Sequence, residues 1–219
     1  MRTSNVIVFG ARHTKDPHDE QIQQIEAEWK SFKPTVALVE GRLGFLAPGL
    51  MDPVKNYGEM GKVNELAKKD HVPVYSWELP KETAVTRLLS IHKYTPEQIA
   101  LYQILLPYFS NYRFGKPENP DRFVEEYLSR GKLPGLENTI VSVADIDKIW
   151  KRDFGQEKDW RDTSDEIELP GYLQEIGYDY SDIRDQHLAA LIKHFQEKNE
   201  KVFAITGSSH AVIVEKAIQ

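Results

Sequence analysis

Short apolar runs alternate along the chain with longer segments in which apolar residues recur every three or four positions. The runs are continuous, which is typical of strands that are buried on both faces of a sheet. We predict four such strands, at residues 5–9, 35–39, 72–77 and 201–205. The segments between them show helical periodicity.

Capping signals place some of the helix ends. Asp16-Pro17 predicts a helix start, and Pro34 ends that helix. Further helices are predicted near residues 57–69, over most of 80–154, from Ser181 to about 198, and from near Ser209. Residues 155–180 are polar with scattered Gly and Pro, which predicts a long loop.

The order of these elements predicts the fold class. Strands that alternate with helices form a mainly parallel sheet whose faces are covered. We therefore predict an α/β fold, with a mainly parallel sheet flanked by helices. A single domain over residues 1–219 is expected, with a helical insertion at about 80–180 that covers the sheet.

The composition of the chain argues against several classes of partner and site. The 219 residues carry a formal net charge of -6, so nucleic acid is not an expected partner. The absence of cysteine excludes disulfides, thiolate metal sites and cysteine nucleophiles. No apolar stretch reaches the roughly 20 residues that span a bilayer, so we expect no membrane span. No signal peptide is visible, which favours the cytoplasm, or export if a leader has been removed. Nothing indicates an oligomeric state.

Ligands of open α/β sheets bind beyond the carboxyl ends of the strands. Each predicted strand is followed there by a His or a Glu: His13, Glu40, Glu78 and His210. Both histidines stand in a G-x-x-H context, and we expect each Gly to permit a sharp turn out of its strand. Neighbouring strands would then bring the two imidazoles together.

This set of side chains allows two kinds of chemistry. Imidazoles beside carboxylates hold divalent metals, or act as general bases that a carboxylate orients. Arg12 and Arg42 would bind a substrate carboxylate or offset developing negative charge. Glu59, after Gly58, is a further candidate.

Structural roles remain as alternatives for all of these residues. Each His would cap a helix or bind a loop carbonyl, Glu40 would pair with Arg42, and Glu78 would lie in a first helical turn. A serine nucleophile is not favoured, because residues 207–211 lack the second Gly of the nucleophile elbow. There is no P-loop and no G-x-G-x-x-G motif.

Three segments resemble the TraB/PrgY/Tiki superfamily, which is related to the erythromycin esterase and ChaN-like folds. That family carries two G-x-x-H motifs with a Glu and Arg residues between them. Here the motifs are Gly10-Ala11-Arg12-His13 and Gly207-Ser208-Ser209-His210, with Val39-Glu40-Gly41-Arg42 between them. Residues 183–188, Ile-Arg-Asp-Gln-His-Leu, resemble the family's Arg-Asp-x-x-Met segment.

The resemblance implies an erythromycin esterase/ChaN-like fold and a metal-dependent hydrolase, of the peptidase or protease kind. His13 and His210 would be metal ligands, and Glu40 would be a ligand or a general base. Glu78 is a further candidate ligand. The ion would be manganese, cobalt or zinc, and the substrate a peptide or a small-molecule ester. Arg184 would bind substrate or the oxyanion, or instead form an ion pair with Asp182 or Asp185.

Two other functions stay open at this point. Related esterases use a His base without a required metal, so His13 or His210 would then be the base beside Glu40. A non-catalytic protein that binds haem or another small ligand is the third hypothesis, which the Tyr-rich helical stretch suggests.

Overall fold

The computed structural model describes residues 3–41, 53–111, 115–165 and 168–218. Its centre is a four-stranded sheet made of β1 (Val6–Ala11), β2 (Val36–Val39), β3 (Val74–Ser76) and β4 (Val202–Gly207). The strand order is β1-β4-β2-β3, and all three pairings are parallel. The predicted α/β fold class and parallel sheet are confirmed.

Helices make up most of the remaining described chain. They are α1 (Glu20–Phe32), α2 (Pro53–Asp70), α3 (Lys81–Ser90), α4 (Pro96–Ser110), α5 (Pro120–Glu125), α6 (Val143–Phe154), α7 (Tyr172–Glu197) and α8 (Ser208–Ile218). Among these described helices, none is both long and apolar enough to cross a membrane.

Alternate strand residues point to opposite faces of the sheet. Ile7 and Phe203 pack into one apolar core together with residues of α1 and α2. Val8 and Ala204 pack into a second core with residues of α7 and α8. Because both faces are buried, the strands are continuous apolar runs, with the exception of the short edge strand β3. These runs are the pattern that predicts the strands from the sequence.

The register of β1 and β4 sets where their trailing residues lie. Gly10 is opposite Thr206, and Ala11 is opposite Gly207. The two strands therefore end at the same level of the sheet. Residues that follow β1 and residues that follow β4 start from neighbouring points at its carboxyl edge.

The chain divides into two compact units. One comprises residues 1–79 and 184–219 and contains the whole sheet. The other comprises residues 80–183 and is helical in its described part. In this second unit the Tyr-rich helical stretch contributes buried rings from Tyr102, Tyr108 and Phe109, and Tyr112 of that stretch lies outside the described residues. A single domain in which residues 80–180 cover the sheet stays a prediction.

Two predicted helix starts are wrong. The first helix begins at Glu20 instead of Asp16-Pro17, because the carboxylate of Asp19 caps it by accepting from the backbone N–H of Gln21. Helix α7 begins at Tyr172, nine residues before the predicted Ser181. Its buried Leu173, Ile176, Tyr180 and Ile183 do follow helical spacing, but Gly177 and the polar residues around it obscured the pattern.

Candidate functional site

The glycines of the two G-x-x-H motifs allow neighbouring groups to pack closely against their strands. A Cβ on Gly10 would lie 3.1 Å from Cα of Ser208 and 3.2 Å from Cβ of Ala211, so this glycine lets β1 pack closely against α8. Neither Gly10 nor Gly207 has a positive φ. A left-handed backbone is therefore not the reason for a glycine at either position, and close packing is. β4 ends at Gly207, directly before α8, whereas β1 continues past Gly10 to Ala11, so the predicted turn directly at the glycine is wrong for Gly10 only.

The histidines of both motifs lie against Gly207. A Cβ on that residue would be 3.0 Å from Nε2 of His13 and 3.6 Å from Cδ2 of His210. The left-handed backbone conformation is found at His13 itself, where φ is 63°. The structure thus brings the two imidazoles to one glycine at the carboxyl edge of β1 and β4.

Asp185 of α7 binds the ring of His210 of α8. Nδ1 of the imidazole lies 2.7 Å from Oδ1 of the carboxylate. The Asp185 side chain is only 2% exposed, whereas that of His210 is 15% exposed. A buried carboxylate at Nδ1 fixes the orientation of the ring and leaves Nε2 as the nitrogen available for chemistry.

Arg184, the neighbour of Asp185, joins two strand ends. Its Nη2 donates to Oε1 of Glu40 at 2.8 Å and to Oε1 of Glu78 at 2.6 Å. Glu40 directly follows β2, and Glu78 comes two residues after β3. Nη1 of the same guanidinium lies 3.5 Å from Nε2 of His210, at the outer limit of a hydrogen bond.

Trp77 packs against two members of this group, Arg184 and His210. Its indole is fully buried and donates through Nε1 to the carbonyl oxygen of Ile205 at 3.0 Å. The Arg184 guanidinium carbon lies 5.0 Å from the indole ring centroid, a cation–π distance. The ring of His210 meets the indole edge-on, at 6.2 Å between centroids.

The predicted site residues thus fall into three groups. His13, His210, Glu40, Glu78 and Arg184 are brought together at the strand ends. Arg12 instead forms an exposed ion pair with Asp19 at 3.0 Å. Arg42 lies outside the described residues, so its predicted role stays a prediction.

Sequence reasoning missed Asp185 and Trp77 as parts of this site. The sequence predicts Asp185 only as an alternative ion-pair partner of Arg184, yet its carboxylate binds His210. The signal was its place in the Arg184-Asp185 pair, since two adjacent residues of one helix point in different directions and so reach different partners. Trp77 gave no polar signal, because its role depends on ring contacts.

Charge and donor geometry test the predicted metal ion. Within the described residues no group of three or more His, Asp or Glu side chains is arranged to hold a metal. The guanidinium of Arg184 binds both Glu40 and Glu78 and faces Nε2 of His210, which is where a shared cation would lie. This placement does not fit a divalent ion bound jointly by His210 and Glu40.

Two acceptors at this site, Oε2 of Glu40 and Oδ2 of Asp185, have no hydrogen-bond partner among the described residues. Oε2 of Glu40 is buried and accepts no hydrogen bond from the part of the chain that the structure describes. Such an atom needs a donor, because a buried carboxylate oxygen without one is unfavourable. Substrate, water or a residue outside the described ranges would supply it.

Comparisons with known proteins do not identify a family for this chain. No protein-family model, no curated protein and no solved structure matches the chain. The resemblance to the TraB/PrgY/Tiki superfamily therefore stays a prediction, and function has to be argued from the site alone.

Proposed function

We propose that this protein hydrolyses an ester or peptide bond by general acid–base catalysis, with His210 as the base that activates the attacking water. The observation that carries the proposal is the 2.7 Å contact between Nδ1 of His210 and Oδ1 of Asp185. A His whose Nδ1 is held by a buried carboxylate is the arrangement that general bases of hydrolases share.

The partners of His210 define where its proton lies. Asp185 as a carboxylate only accepts hydrogen bonds, and Arg184 only donates them. The neutral ring therefore carries its proton on Nδ1 and keeps a lone pair on Nε2. That lone pair would take a proton from the water that attacks the substrate.

Arg184 supplies the positive charge for the developing oxyanion. Glu40 and Glu78 both hold Nη2, so the guanidinium is fixed before substrate arrives. Nη1 remains on the side of His210, where an attacking water and a carbonyl would meet. Fixed donors at that point stabilise the tetrahedral intermediate without reorganising during the reaction.

His13 completes the proposed machinery. Its Nε2 and Cδ2 of His210 lie 3.0 Å and 3.6 Å from the Cβ position of Gly207, so the two rings are close to each other. We assign to His13, in its protonated form, the donation of a proton to the leaving group as the intermediate collapses. His210 then releases to solvent the proton that it took from the attacking water, and His13 takes one up, which restores the starting state. An ester leaving group needs less help than an amide, which makes esters the better first probe.

The direct test compares wild type with Asp185→Asn and His210→Ala on p-nitrophenyl acetate and on a fluorogenic peptide. We expect both variants to lose about 10²–10⁴-fold in kcat, because the first disturbs the tautomer and the second removes the base. His194→Ala is the matched control, since it removes an exposed His from the same helix as Asp185. Unchanged turnover in Asp185→Asn would overturn the proposal.

The metal-dependent hydrolase and the non-catalytic haem-binding protein stay predictions. A metal enzyme would use the same His13 and His210, so substitutions of these residues do not separate it from the proposal. Metal removal does separate them, because only the metal enzyme would lose its activity to a chelator. Titration with haem tests the binding hypothesis through the appearance of a Soret band.

A further inference from the structure

The segment that carries His13 is held on both sides by buried side chains. The backbone N–H of Arg12 donates to Oε1 of Gln21 at 3.0 Å, and that of Thr14 donates to Oε1 of Glu59 at 2.8 Å. Gln21 is 5% exposed and Glu59 is 1% exposed. Two helices, α1 and α2, thus each contribute one acceptor to the residues that flank the histidine.

Burial makes these acceptors unusual. Glu is almost never fully buried without a specific partner, because a charge taken out of water needs compensation. Among the described residues, Glu59 forms no hydrogen bond and no ion pair with the proposed catalytic group. Its carboxylate instead accepts from the backbone N–H of Thr14, one residue after His13.

The backbone next to Glu59 also fits this segment. Gly58 interrupts the helical conformation of α2, with φ 57° and ψ -142°. A Cβ on Gly58 would lie 2.6 Å from the carbonyl oxygen of Thr14. A glycine at this kink is therefore needed for α2 to approach Thr14 closely enough for the Glu59 hydrogen bond.

The conformation that these contacts maintain is an unfavourable one. His13 adopts a positive φ, which is uncommon for residues that carry a side chain and costs conformational energy. Hydrogen bonds on the preceding and following residues are the contacts that can impose it. Without them the chain would relax, and the imidazole would leave Gly207.

We infer that Glu59 and Gln21 are positioning residues that hold His13 in its left-handed conformation with its ring against Gly207. The catalytic part of this inference rests on the proposed function, in which His13 donates a proton to the leaving group. The positioning part is a statement about conformation and is measurable without any substrate.

The conformational test is NMR of the full chain, with wild type, Glu59→Ala and Gln21→Ala. We expect the amides of Thr14 and Arg12, respectively, to lose protection from hydrogen exchange. The ring resonances of His13 should also shift in both variants. Glu59→Gln keeps an acceptor oxygen and should restore the wild-type pattern, which a requirement for charge alone would not allow.

Matched controls lie on the same two helices. Glu65→Ala on α2 and Gln24→Ala on α1 remove side chains whose described contacts are exposed, and should leave the His13 resonances unchanged. If Glu59→Ala does not fold by circular dichroism, Gln21→Ala and Glu59→Gln carry the test. Unchanged exchange and unchanged His13 resonances in folded Glu59→Ala and Gln21→Ala would overturn the inference.

The kinetic test uses ester hydrolysis. Glu59→Ala should lower kcat about 10-fold or more with KM nearly unchanged, since a displaced catalytic group affects the transition state most. In the His13→Ala background the same substitution should cause no further loss. An equal loss in both backgrounds would mean general destabilisation and would overturn positioning through His13.

The two tests separate the inference from the proposed function. A displaced His13 ring with unchanged turnover would support positioning and contradict the catalytic role of His13. A large loss in His13→Ala, with neither displacement nor loss in Glu59→Ala, would support that role and contradict positioning.

Discussion

A Cβ on Gly207 would lie 3.0 Å from Nε2 of His13, closer than side chains normally approach. We therefore predict that Gly207→Ala folds but moves the His13 ring by a few tenths of an ångström. Because proton transfer depends steeply on distance, kcat/KM for ester hydrolysis should fall about 10-fold. Steady-state kinetics on folded protein provide the measurement.

Gly177→Ala is the control for this substitution. It lies within α7, and its added Cβ would meet nothing nearer than the hydroxyl of Tyr102 at 3.6 Å, an ordinary contact. We expect it to stabilise the protein by about 0.5–1 kcal/mol, since alanine favours a helix over glycine. Wild-type turnover in Gly207→Ala would contradict the crowding argument.

The sequence identified the strands well because each is a short apolar run between punctuating residues. Predicted residues 35–39 and 201–205 correspond to the observed Val36–Val39 and Val202–Gly207. The parallel arrangement followed from the alternation of strands with helices. The carboxyl edge of the sheet then indicated where His13, Glu40, Glu78 and His210 would lie.

Contacts between elements could not be predicted in the same way. Asp185 meets His210 only because α7 and α8 pack on one face of the sheet, and the 24 residues between Asp185 and His210 carry no periodic signal for that pairing. The left-handed conformation of His13 likewise depends on Gln21 and Glu59, which come from two different helices.

An ion-pair cluster joins α1 to α2 and should make stability depend on pH. Glu26 lies 2.5 Å from Nζ of Lys30 and 3.1 Å from Nζ of Lys62. The hydrogen bond from Lys30 and then the one from Lys62 lower the pKa of Glu26 from 4.5 to about 2. Its stabilising contribution is therefore present above about pH 4.5 and is lost as the pH falls towards 2.

Glu26→Gln tests this dependence. The difference in free energy of unfolding between wild type and variant should be largest near neutral pH and should vanish near pH 2. Because Glu26 is partly exposed, we expect the difference to stay within about 1 kcal/mol and to shrink at high salt. Urea unfolding at several pH values measures it, and a difference that grows on acidification would contradict the prediction.

In the helical unit, Arg130 replaces a hydrogen bond that Pro107 removes from α4. Proline has no backbone N–H, so the carbonyl of Gln103, four residues earlier, lacks its usual helical donor. Nη1 of Arg130 donates to that carbonyl oxygen at 3.0 Å. We predict that Arg130→Ala destabilises the protein by about 1.5–3 kcal/mol, the range for hydrogen bonds from charged groups.

A double-mutant cycle with Pro107→Ala isolates this relationship. The substitution returns an N–H to the helix, so Arg130→Ala should cost less in that background than in wild type. Urea unfolding of the four proteins gives the coupling free energy. Equal losses in both backgrounds would show that Arg130 stabilises the unit through other contacts, such as its position 4.7 Å from the ring centroid of Tyr127.

Removal of divalent ions should leave ester hydrolysis unchanged. Arg184 already binds Glu40 and Glu78 and faces Nε2 of His210, so its guanidinium occupies the position that a bound ion would take. The measurement is turnover after dialysis against a chelator, with elemental analysis of protein purified without a histidine tag. His13→Ala and His210→Ala, dialysed in the same way, control for adventitious ions.

Activity that disappears with the chelator and returns with manganese, cobalt or zinc would contradict the metal-free mechanism. One ion per chain in wild type, absent from both variants, would then establish His13 and His210 as ligands and require Arg184 to move aside when the ion binds.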